Sequence, residues 1–80
     1  MNIDPLVQMA NRIGDYFAAQ PDHDEALQGI ADHIRKFWTP AMRARLLDGV
    51  DAGETQDLQA IVRDALQTHR AHLTPSQGKE

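Results

Sequence analysis

Asp32-His33-Ile34-Arg35-Lys36-Phe37-Trp38-Thr39-Pro40-Ala41-Met42-Arg43-Ala44-Arg45 ends one helix and starts the next. Pro40 disfavours helical geometry at Thr39, so a helix arriving through Ile34 and Phe37 has to stop there. The Thr39 side chain can accept from the first amides of a new helix, with Pro40 as its first residue. Behind this elbow, Leu27, Ile30, Ala31, Ile34 and Phe37 recur at helical spacing. Trp38 would fall at the centre of that stripe if the helix reached so far. Two helices joined by a short elbow set the fold class, and the rest of the chain reads the same way.

Upstream, Asp22-x-x-Glu25 is a capping arrangement, and Asp24 adds acid at the positive end of the dipole. Asp4-Pro5 opens an earlier helix, with Asp4 as the expected cap. Along it Leu6, Met9, Ala10, Ile13, Tyr16 and Phe17 fall in one apolar arc, while Asn11, Arg12 and Asp15 take the far side. It ends near Gln20-Pro21. Downstream, a third helix covers about Pro40 to Asp51, its apolar Met42, Leu46, Leu47 and Val50 spread over a wide arc with Arg43 in the middle. Asp51-Ala52-Gly53 is a stop with Gly53 just past the end. Thr55 is the expected cap of a fourth helix, on which Leu58, Ile61, Val62, Ala65, Leu66 and His69 share a face. Gly14 and Gly29 lie inside helices and mark close helix–helix approach. No segment alternates with period two. The expectation is an all-α fold, a small bundle of three to four short helices in one domain, 1–73. A polar, flexible and disordered C-terminal tail, 74–80, follows.

Composition removes most chemistries. The chain has 80 residues and no cysteine, which excludes disulfides, thiolate metal sites, iron–sulfur ligation and a cysteine nucleophile. Its only serine, Ser76, lies in the polar tail, and its five glycines are dispersed rather than gathered in a phosphate loop. His69 and His72 share a helical face, but no carboxylate stands at a matching position to complete a metal set. No catalytic residue, cofactor site or metal site is therefore expected. The N-terminus shows no secretory pattern and no apolar run approaches the roughly 20 residues of a membrane span. A cytoplasmic protein is expected.

Charge is distributed unevenly. From His33 to Leu47 there are four basic side chains and no acidic one, on a chain of net charge −4. The remainder, with twelve acids against four bases, carries −8. Aromatic and arginine side chains concentrated on a small acidic body are the chemistry of a partner-binding patch. Phe37 and Trp38 can serve either as core anchors or as exposed contacts. Arg35 and Arg43 can contact a partner or lay their stems along apolar surface. An alternative is a small helical nucleic-acid-binding module, suggested by the elbow with Arg35, Lys36, Arg43 and Arg45 around it. The acidic remainder opposes the approach of phosphate, and few bases are available for counterion release.

Three blocks in order carry a family resemblance: Leu6-Val7-Gln8-Met9-Ala10-Asn11-Arg12-Ile13 with Tyr16-Phe17; Gly29 through Arg43; and Asp51-Ala52-Gly53 with Leu58 and Ile61-Val62-Arg63-Asp64-Ala65. Together they resemble the delta subunit of NAD-dependent, molybdenum-containing formate dehydrogenase. The central run of His, basic residues, Phe-Trp, Pro and Met-Arg is the specific part. Tyr16 stands where that family usually has Phe, and Thr39 where an acidic residue is frequent. The resemblance implies a non-catalytic accessory subunit without a redox centre of its own. In that family a large alpha subunit carries molybdopterin and iron–sulfur clusters, and beta and gamma subunits pass electrons to flavin and NAD. The implied partner is the alpha subunit, and the implied role is assembly or stability of the complex that converts formate and NAD to CO2 and NADH. The contact residues expected from signature and charge together are His33, Arg35, Lys36, Phe37, Trp38, Met42 and Arg43. No nucleic acid or membrane partner is expected.

Overall fold

Thr39 and Pro40 do start a helix. In the computed structural model, which describes residues 2–75, the Met42 amide donates to Thr39 Oγ1 at 3.2 Å. The helices are α1 (Ile3–Phe17), α2 (His23–Phe37), α3 (Pro40–Asp51), α4 (Ala60–Thr68) and the single turn α5 (Arg70–Leu73). The described residues contain no strand, and the fold is the expected all-helical bundle. Asp22 caps α2, accepting from the Glu25 amide at 3.1 Å. At the end of α3 the Gly53 amide reaches Val50 O at 3.2 Å and the Glu54 amide reaches Gly49 O at 2.8 Å. This paired closure needs a left-handed residue, and Gly53 supplies it at φ +75°.

Three boundaries differ from the sequence reading. First, α1 begins two residues earlier than Asp4 as its cap would allow, because Asn2 is the cap and accepts from the Asp4 amide at 3.1 Å. Pro5 is tolerated there, since amides of the first turn have no intrahelical partner. Second, Thr55 does not cap α4. It is buried, and its carbonyl accepts from Leu58 at 3.1 Å in a separate turn, leaving Gln59 as a cap without a side-chain bond. Asn11, placed on the solvent side by the periodicity of α1, fills that role instead. Its Oδ1 accepts from the Gln59 amide and its Nδ2 donates to Asp57 O, both at 2.9 Å. Third, His69 closes α4 rather than extending its face.

The core joins Leu6, Val7 and Ala10 of α1 with Leu27, Ile30 and Ile34 of α2. Leu46 and Leu47 of α3, Leu58, and Val62 and Leu66 of α4 complete it. A Cβ on Gly14 would sit 2.6 Å from Val62 Cγ2, and one on Gly29 would sit 2.6 Å from Cδ1 of the Phe17 ring. These glycines therefore set how closely α1 approaches α4 and α2. The buried side of α1 is Ile3, Leu6, Val7, Ala10 and Gly14. Its predicted arc was too wide, because Met9 and Tyr16 are exposed. Leu73 of α5 is buried, so the core draws on the chain as far as that residue. Of the expected tail, 76–80 lie outside the described residues. Among the described residues, no helix is long and apolar enough to cross a membrane.

Candidate partner-binding face

The elbow separates its two aromatic residues. Ile30, Ile34 and Trp38 follow one another at four-residue spacing along α2, forming one ridge. Ile30 and Ile34 are fully buried, and Trp38 continues them into the core at 5% exposure. Gly29, His33 and Phe37 form the adjacent ridge, and Phe37 ends it 65% exposed. Of the two rings that could serve as core anchor or exposed contact, Trp38 is the anchor and Phe37 is the exposed one. The Trp38 amide closes α2 on Ile34 O at 2.9 Å, and α3 then leads away to pack chiefly against α1.

Arg43 is also inside. At 5% exposure, its Nε donates to Leu73 O at 3.0 Å and its Nη1 donates to Trp38 O at 3.0 Å and Arg35 O at 3.4 Å. These acceptors are the last carbonyls of α2 and the C-terminal carbonyl of α5. Such groups lack intrahelical donors and carry the negative end of the helix dipole. A guanidinium with its fork of donors fits that need without a carboxylate. Burial, and secondarily the like charge of Arg35, hold its pKa below the usual arginine value. The reading of Trp38 and Arg43 as surface contacts is corrected accordingly: both are enclosed by their own chain, with α5 packed against α2 and its last carbonyl receiving Arg43. Leu73, whose carbonyl receives Arg43, was missed, although a lone leucine four residues after His69 was the available signal.

His33, Arg35, Lys36 and Phe37 are exposed, and Met42 is half-buried against the core. They do not make one patch. At about 100° per residue, Arg35 and Phe37 leave α2 on nearly opposite sides. His33, Lys36 and Phe37 do come together. The His33 and Phe37 rings are 4.8 Å apart, and Lys36 Nζ lies 5.5 Å from the Phe37 ring centroid. Among the described residues, no carboxylate pairs with Arg35 or Lys36, whereas Arg45 meets Glu54 at 3.0 Å. With Arg43 buried and Arg45 paired, the elbow does not offer the basic cluster that a phosphate backbone would require.

Further polar contacts tie helices together. Asp51 holds Arg70 with two bonds of 2.9 and 2.6 Å, which lower the Asp51 pKa and raise that of Arg70. His72 lies 3.5 Å from Asp32, joining α5 to α2. Among the described residues, no three His, Cys, Asp or Glu side chains gather as a metal site would need.

A family model described as NADH-dependent formate dehydrogenase delta subunit, FdsD, matches residues 5–66, from the first turn of α1 into α4. Comparison with curated proteins and with solved structures returned no match. The matched span covers most of the 80 residues and includes the whole elbow. The chain therefore belongs to the family of formate dehydrogenase delta subunits.

Proposed function

We propose that this chain is a non-catalytic, cytoplasmic accessory subunit that binds the large alpha subunit of NADH-dependent formate dehydrogenase and supports assembly or stability of that complex. Its contact surface centres on His33, Lys36 and Phe37, with Arg35 and the half-buried Met42 on the flanks. Trp38 and Arg43 act from within by holding the elbow in shape. The observation that carries this reading is Phe37, a large ring left 65% exposed beside a cation on a member of a subunit family. An exposed aromatic beside a basic residue is the composition of an interface anchor.

The test uses formate dehydrogenase purified from cells lacking this chain, with the purified chain added back and its affinity measured by biolayer interferometry. Phe37→Ala combined with Lys36→Glu is expected to weaken binding about tenfold or more, with unchanged helical circular dichroism. Equal affinity would remove the elbow from the interface. Absence of binding by the unmodified chain would overturn the role itself.

A further inference from the structure

A single residue, His69, separates α4 from α5, yet the local sequence contains no helix breaker. From Ala60 to Thr74 there is no glycine and no proline, and Ala65, Leu66, Gln67, Arg70, Ala71 and Leu73 all favour helix. The apolar stripe also runs through the break in phase. Leu66 follows Val62 by four residues and Leu73 follows Leu66 by seven, so one straight helix would carry all three on one face. His69 nevertheless stands at φ −112° and ψ 27°, outside helical geometry. The backbone ladder restarts there. The His69 amide still donates to Ala65 O at 3.0 Å, but the His72 amide donates to His69 O at 3.0 Å, three residues back. In an unbroken helix it would take Thr68 O.

The bend is therefore imposed from outside the segment, and its polar fastenings reach α2 and α3. Leu73 is 1% exposed, and its carbonyl accepts from Nε of Arg43 on α3 at 3.0 Å. Arg70 pairs with Asp51 of α3, and His72 lies 3.5 Å from Asp32 of α2. A single helical turn has little stability of its own, so without these contacts the local preference is to continue α4. Arg43 also links this turn to the elbow. Its Nη1 donates to Trp38 O and Arg35 O, so release of Leu73 O takes one acceptor from a buried cation.

We infer that α5 is a strap hinged at His69. Closed, it lies against α2 with Arg43 as its clasp. Open, residues 69–73 continue α4 as one straight helix. The state of the strap sets how firmly Arg43 holds the C-terminal end of α2, where the elbow begins.

The test weakens every fastening in the full chain, with Leu73→Gln, Asp32→Asn and Asp51→Asn combined, and reads the isolated protein by NMR. This makes it independent of the accessory-subunit reading. The His69 Cα signal is expected to move downfield, the helical direction, while those of residues 70–73 stay helical. The Arg43 Nε–H signal is expected to be lost to exchange with water. Native methyl shifts at the fully buried Ile30 and Val62 show that the bundle is intact. Coil shifts across 69–74 would mean a frayed end and no hinge. An unchanged His69 shift would make the bend intrinsic to the chain, and a persistent Arg43 signal in the opened variant would uncouple strap from elbow. Each of these overturns the inference. Should the triple variant not fold, relaxation dispersion on the unmodified chain decides instead. Exchange with a minor state whose His69 Cα shift is helical supports the hinge, and its absence overturns it.

Discussion

Trp38 and Arg43 show how a single residue can be misplaced by its chemistry and correctly placed by its ridge. A tryptophan and an arginine in a basic stretch look like surface contacts, yet both complete the core. Truncating Trp38 to Ala is expected to cost about 3–5 kcal/mol, a large share of the roughly 4–12 kcal/mol available to a domain of this size. A urea titration should show it as a large fall in midpoint. Arg43→Met keeps much of the volume but leaves carbonyls of Trp38 and Leu73 without their donor. A loss of about 2–4 kcal/mol is expected. By contrast, Phe37→Ala should change stability by less than about 0.5 kcal/mol, because the ring is mostly in water. The burial of Trp38 was partly legible, since it sits on the stripe of Ile30 and Ile34. The burial of Arg43 was not, because its acceptors belong to helices whose ends only the folded chain brings together.

At the level of helices and turns, local chemistry was readable and long-range chemistry was not. Asp22, Thr39-Pro40 and Gly53 act on amides and carbonyls within a few residues of themselves, so their roles follow from sequence alone. The start of α4 does not follow, because its stabilising side chain is Asn11, 48 positions before the amide it receives. Asn11→Ala should therefore loosen the loop before α4 and lower stability by about 1–2 kcal/mol. Hydrogen exchange should rise at Gln59 and in the first turn of α4 while α2 stays protected. Gly14→Ala sets two effects against each other. Alanine gains up to about 1 kcal/mol of helix propensity, but the added methyl would meet Val62 at 2.6 Å and Gln59 Oε1 at 2.7 Å. Overpacking of this kind costs about 1–3 kcal/mol, so the net change should be destabilising by thermal melt. The width of the apolar arc on α1 misled for a related reason: periodicity marks which residues are apolar, not how much of the arc a neighbour covers.

Across the whole molecule, the segment after the family match closes the fold. Leu73 is buried, its carbonyl receives Arg43, and Arg70 and His72 pair with Asp51 and Asp32. A chain ending at His69 is expected to lose about 2–5 kcal/mol, as for deletion of a core leucine, and to melt with a broader transition. The Asp51–Arg70 bridge adds a pH dependence of known sign. Because Arg70 lowers the Asp51 pKa in the folded state, the bridge contributes fully above the ordinary carboxylate range. That contribution fades as pH falls through the depressed value. Asp51→Asn should thus lower the urea midpoint near neutrality and flatten its decline in acid. The depth of Trp38 has a practical consequence as well. It is the chain's one indole and is shielded from water in the core, so its emission should be short in wavelength and shift to the red only when the bundle opens. The protein thereby carries a built-in optical gauge of its own integrity, able to separate a variant that has lost its partner from one that has lost its shape.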